Sequence, residues 1–272
     1  MTADPTYRGF ALDAETALAL LQWQAEMGAD EPCLDAAIDR YDLPDRAEIA
    51  SAAKPAAQTA APKPRDEAED LTARAETMAG AAASLTALAE AQEAFDGIEL
   101  RKGARNFCFA DGNPAARVMI VGEAPGEEED RVGRPFVGRA GQLLDRMFDA
   151  IGLSRMAVDA EKALYITNVL PWRPPGNRRP EPAEIAMMLP FLRRHVELAQ
   201  PDLLVLMGNT PCIALLNQQG ILKLRGTWAT AFGLPALPMT HPAYLLRTPL
   251  AKREAWADLL SLSARLEGGG AS

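Results

Sequence analysis

The sequence predicts an α/β fold, with a parallel sheet covered by helices on both faces. From about residue 96, short apolar runs alternate with amphipathic segments. That order builds parallel strands joined by helical crossovers. The runs are too rich in apolar residues for a half-exposed sheet, so helices must cover both faces. The first 95 residues differ: they hold 18 acids and 7 bases, whereas the remainder holds 19 acids and 21 bases.

Residues 11–29 carry apolar residues at helical spacing, with Trp23 and Met27 on the pattern. They read as an amphipathic helix within an N-terminal segment, 1–49. Residues 50–70 are rich in Ala, Pro and charge and lack aromatic residues. They read as a flexible linker. Residues 71–93 form an Ala-rich helical lead-in. Strands are expected at 117–122, 164–170, 202–208 and within 234–242. Helices are expected at 140–152, ended by Gly152, and at 182–199, opened by Pro182 and kinked at Pro190. Further helices are expected at 209–218 and at about 250–266.

The net charge of −9 is concentrated in the N-terminal part. The arginine-rich remainder leaves room for a positive groove. No apolar run approaches the about 20 residues of a membrane span. The opening residues lack the basic and apolar regions of a signal peptide. Cys33, Cys108 and Cys212 lie far apart without metal-ligand spacing, which suits a reducing cytoplasm.

In open parallel sheets, ligands bind beyond the carboxyl ends of the strands. Three polar residues fall there. Glu123 follows the first strand in VMIVGEAPGEEED, where Gly122 and Gly126 admit close backbone approach and Pro125 stiffens the turn. Its plain alternative is a turn or helix-cap carboxylate. Asn168, in YITNVL, must be hydrogen-bonded if buried. It is either a structural Asn or an amide that reads a base edge. His241 follows the fourth strand in MTHPAYLLR, and is structural or catalytic. His195 lies on a helix and reads as a solvated or packing residue. Phe136 sits in a glycine-bounded loop, GRPFVGRAGQLL, as a core or a ligand-facing ring.

GEAPGEEED, GRPFVGRAGQLL, YITNVL-WRPPGNRRP and HPAYLLR, in this order across about residues 94–260, resemble the motifs of the family 4 uracil-DNA glycosylases. The resemblance implies a glycosylase domain at 94–266, built as a three-layer α/β/α sandwich with a central four-stranded parallel sheet. It implies hydrolysis of the bond between uracil and deoxyribose in DNA, starting base excision repair. On that basis Glu123 and His241 are catalytic, the latter stabilising charge on uracil O2. Phe136 stacks on uracil, Asn168 reads its edge, and Glu129 lies near C5; Gly122 and Ala124 complete the substrate-binding set. Tyr244, Leu245 and Leu246 occupy the wedge position. Arg173, Arg178, Arg179, Arg225 and Arg247 are candidate phosphate contacts or ordinary surface arginines. The partner is uracil-containing DNA, single- or double-stranded; the N-terminal helix is a candidate protein-binding element, and a monomer is expected. The alternative is a non-catalytic or covalently DNA-linking uracil-binding protein of the same fold. An intact Glu123, Asn168 and His241 argue against the first. GEAPG in place of GEQPG and the lack of a basic insertion argue against the second.

Family 4 enzymes usually carry an iron–sulfur cluster on four cysteines. The corresponding positions here are Phe95, Ile98, Trp172 and Met188. Cluster ligation needs thiolates, so no cluster and no metal is expected.

Overall fold

The computed structural model describes residues 6–7, 10–11 and 67–268. The chain divides into two compact units, 1–61 and 62–272. In the first unit, β1 (Thr6–Tyr7) pairs antiparallel with β2 (Phe10–Ala11). The rest of the expected helix at 11–29 lies outside the described residues, as does the linker up to residue 66.

The second unit opens with α1 (Glu67–Ala81), α2 (Leu85–Ala94) and the short α3 (Leu100–Gly103). α1 begins inside the range read as linker, because its Ala-rich turns pack on a later helix. The expected single lead-in is two helices. Ser84 breaks it, and its hydroxyl accepts the Ala87 N–H at 3.1 Å, an N-cap. Then come β3 (Ala110–Gly112), β4 (Val118–Gly122), α4 (Glu127–Val132) and α5 (Arg139–Asp149). β5 (Leu164–Asn168) leads to α6 (Pro182–Ala199), which runs unbroken through Pro190. β6 (Leu203–Met207), α7 (Asn209–Leu216) and α8 (Ile221–Leu224) follow. β7 (Ala229–Ala231), β8 (Leu234–Met239), α9 (Pro242–Arg247) and α10 (Lys252–Gly268) complete it.

The sheet has six strands in the order β3-β5-β4-β6-β8-β7. Its four central strands are parallel, as expected. The edge strands β3 and β7 run antiparallel and were not expected. Alternate residues of each central strand point to opposite faces. Ile120, Ile166, Val205 and Leu237 meet Leu144 and Phe148 of α5 and Leu259 and Leu262 of α10. Met119, Val121, Leu204 and Leu206 meet Leu192 and Val196 of α6 and Cys212 of α7. The result is a three-layer α/β/α sandwich. α1 packs on the outer side of α6. Among the described residues no helix is long and apolar enough to cross a membrane.

Candidate active site

The polar ends of the central strands converge. Glu123, Asn168, Thr210 and His241 line one cavity of about 720 Å³, with Phe136 on its wall. Each arrives from a different strand, and the ladder fixes their relative height. Gly122 and Asn168 are register partners on β4 and β5. Beyond the ladder, Val169 and Leu170 donate to the carbonyls of Gly122 and Glu123 at 2.9 and 3.1 Å, so the turn after β4 stays tied to β5.

Gly122 does not line the cavity; it lies behind it. A Cβ there would fall 2.3 Å from Asn168 Oδ1 and 2.5 Å from the Phe136 ring. The missing side chain is what lets amide and ring sit side by side. Asn168 is buried, and its Oδ1 has no hydrogen-bond partner. A buried polar atom without a partner is uncommon, and here it belongs to a side chain on the cavity wall.

Glu123 extends from the turn after β4. Its Oε2 accepts a hydrogen bond from the Thr210 hydroxyl at 2.5 Å. Thr210 lies in the first turn of α7, immediately beyond β6. The sequence reading missed it, although the rule that led to the other strand ends applies equally to this one.

His241 caps α9. Its Nδ1 accepts the Ala243 N–H at 3.2 Å, so in the neutral ring the proton sits on Nε2. Burial, with Arg247 nearby, pushes its pKa down from 6.5 to about 4. The ring stacks against Phe136, centroids 5.4 Å apart and planes 29° from parallel.

Glu129 lines the cavity, yet its oxygens are already engaged. Oε1 accepts the N–H groups of Val137 and Gly138 at 3.0 and 2.8 Å, and Oε2 accepts that of Gly126 at 3.2 Å. It ties the turn after β4 to the Phe136 loop. Ala124 and Tyr244 also line the cavity.

The expected wedge is only partly compatible with the geometry. Leu245 is 1% exposed and packs with Leu143, Ala251 and Ala255. It cannot enter DNA without leaving the core. Leu246 packs at the margin of that cluster. The exposed leucines nearby are Leu222, on the cavity rim, and Leu250, beyond α9. Arg225 is likewise not free for phosphate: it forks onto Asp258 and reaches the Glu254 carbonyl at 2.9 Å. It does not line the cavity. Arg178 does, while also gripping Glu184 at 2.6 and 2.9 Å. Arg173 does not line the cavity itself but bonds Asn177, which does, at 2.8 Å. Arg179 and Arg247 line it. His195 is a packing residue and not a solvated one: it stacks on Phe109 and meets the Tyr165 hydroxyl at 2.8 Å.

The profile of the uracil DNA glycosylase superfamily matches residues 109–260, more than half of the chain. The chain belongs to the uracil DNA glycosylase superfamily. It is 42% identical over 147 residues to a type-4 uracil-DNA glycosylase of Thermotoga maritima, a match covering 52% of this chain and 72% of that protein. It is 36% identical over 178 residues to the type-4 enzyme of Saccharolobus solfataricus, covering 62% and 80%. The type-4 enzyme of Pyrobaculum aerophilum is 34% identical over 190 residues, covering 64% and 89%.

An iron–sulfur cluster does not fit this member of the superfamily. Phe95, Ile98, Trp172 and Met188 are all buried in one apolar cluster beneath α1 and α2, and none offers a thiolate. Phe95 meets Phe191 edge-on at 5.6 Å, and Trp172 meets Phe107 at 5.3 Å. Burial pushes the thiols of Cys108 and Cys212 up to about 12. Among the described residues no group of three or more His, Cys, Asp or Glu side chains could hold a metal.

Proposed function

We infer that the protein is a monofunctional uracil-DNA glycosylase that hydrolyses the N-glycosidic bond of deoxyuridine in DNA. It releases free uracil and leaves an abasic site. The observation that carries the assignment of roles is the unpartnered Oδ1 of Asn168, buried beside the Phe136 ring on the cavity wall. Uracil offers N3–H as a donor to that oxygen. Cytosine presents a bare N3 there, which would leave Oδ1 unpaired against a second acceptor at a cost of about 1–3 kcal/mol.

A base inside a duplex cannot reach such a cavity, so the nucleotide is extruded into it. Phe136 then stacks on uracil. The departing base takes the glycosidic electron pair and becomes an anion. Nε2–H of neutral His241 donates to its O2, where charge gathers. The sugar becomes cation-like, and the Glu123 carboxylate offsets that charge and orients the attacking water. Water adds its oxygen to C1′, and the proton it loses neutralises the uracil anion, which leaves as free uracil. Arg179 and Arg247 at the rim suit the flanking phosphates.

We also assign the protein to the cytoplasm, acting as a monomer without an iron–sulfur cluster. The test is direct: incubate the purified protein with a single uracil-containing oligonucleotide and measure free uracil. Release of uracil with a fully detachable abasic product supports the reading. A stable protein–DNA adduct, or binding without release, would replace it.

A further inference from the structure

The backbone of Phe136 has φ of +53°, a left-handed conformation that bulky side chains avoid. Something must hold it. On one side stands Arg155, whose Nη1 donates to the Pro135 carbonyl at 3.0 Å and whose Nη2 donates to the Phe136 carbonyl at 2.9 Å. The guanidinium is itself anchored: Nε donates to Asp145 Oδ1 at 2.7 Å and Nη1 to Asp111 Oδ2 at 2.9 Å. On the other side Glu129 takes the next two N–H groups, of Val137 and Gly138. A cation thus grips two successive carbonyls and a carboxylate grips the two amides that follow. Gly141 closes the seat, since a Cβ there would lie 1.8 Å from the Phe136 oxygen.

We propose that Arg155 is a positioning residue for base recognition, holding the strained Phe136 backbone so that the ring stands where uracil must stack. Arg155 does not line the cavity, and its side chain is 7% exposed. It acts only through the loop. Burying a guanidinium is costly unless its donors are used, and here four of the contacts it makes bear on the loop or on the acids that aim it. The proposal rests on the reading that Phe136 stacks on uracil.

The test is a double-mutant cycle on the full chain. The affinity of free uracil as a competitive inhibitor is measured for wild type, Arg155→Met, Phe136→Ala and the double variant, with thermal melting as the check on folding. Arg155→Met should weaken uracil by about tenfold, and should add nothing once the ring is gone, because the two residues act as one unit. Asp145→Asn, which loosens the guanidinium without emptying its site, should weaken uracil in the same direction and serves if Arg155→Met does not fold. Multiplying effects in the double variant, or wild-type uracil affinity in a folded Arg155→Met or in Asp145→Asn, would overturn the proposal. If Phe136→Ala alone binds uracil as wild type does, the stacking reading falls instead, and the proposal with it.

Discussion

The hydroxyl of Thr210 donates to the carboxylate of Glu123, 87 residues earlier in the chain, at 2.5 Å. The bond fixes one oxygen of Glu123 and leaves the other for substrate or water. Thr210→Val removes the donor without changing shape. Uracil release should slow about 10- to 100-fold, the range for a hydrogen bond to a charged group. Thr210→Ser should recover most of the rate, and Glu123→Ala should lose at least about 10²-fold. A Thr210→Val enzyme as fast as wild type would show that the bond does not position Glu123.

Neutral His241 makes a distinct pH prediction. Its pKa is pushed down to about 4, first by burial and then by Arg247. The ring is therefore uncharged throughout neutral pH. The rate profile should show no His241 step near about 6.5, the ordinary histidine value. A histidine that worked as imidazolium would lose activity as pH rose through that point. An inflection near it that disappears in His241→Asn would contradict the neutral-donor mechanism.

His195 bears on stability and not on chemistry. Burial pushes its pKa down from 6.5 to about 3. Between these values the unfolded chain binds a proton that the folded chain refuses. Stability therefore rises with pH across that window and is level above it, by at most about 1.4 kcal/mol per unit. The double variant Tyr165→Phe with His195→Leu removes both polar groups together. Its denaturation midpoints at about pH 7.5 and about pH 5 should differ less than those of wild type. An equal difference would place the acid sensitivity elsewhere.

The two-unit division sets where the chain can be cut. Deleting residues 1–66 should leave uracil release intact, since α1 begins at Glu67. Deleting 1–94 should not, because Ala75, Ala79 and Leu88 cover Trp172, Met188 and Phe191. Melting curves and uracil release for the two truncations check both halves of the statement. An inactive but folded 67–272 fragment would assign the N-terminal unit a direct role.

The apolar cluster predicts a colourless protein with no iron by elemental analysis. Trp172→Ala should cost about 3–5 kcal/mol, the usual range for deleting a buried tryptophan. Stoichiometric iron in the purified protein would refute the cluster-free reading.

The central strands were readable because VMIVG, LYITN and LLVLM are buried along their whole length: the first and last are apolar throughout, and the second is apolar until Thr167 and Asn168 at its end. The edge strands ADG and ATA hold only three residues each and have no such signature. Glu123, Asn168 and His241 were legible as polar residues at strand ends. Arg155 was not: its partners lie 10 to 44 residues away, and nothing in GLSRM announces them. Leu245 misled for a local reason. In the short helix PAYLLR it shares the buried face with Pro242, three residues earlier, so α9 turns it inward. Glu129 is at the cavity as expected, but three backbone N–H groups claim its oxygens.

At Phe95, Ile98, Trp172 and Met188 the apolar brace under α1 and α2 offers no thiolate to hold iron. An iron–sulfur centre must be delivered before it can support a fold, and its sulfurs are open to the oxidants that also damage DNA. Phe95, Ile98 and Trp172 need no delivery and carry no sulfur, while the thioether of Met188 is wholly buried. Uracil release by such a scaffold should be indifferent to iron chelation.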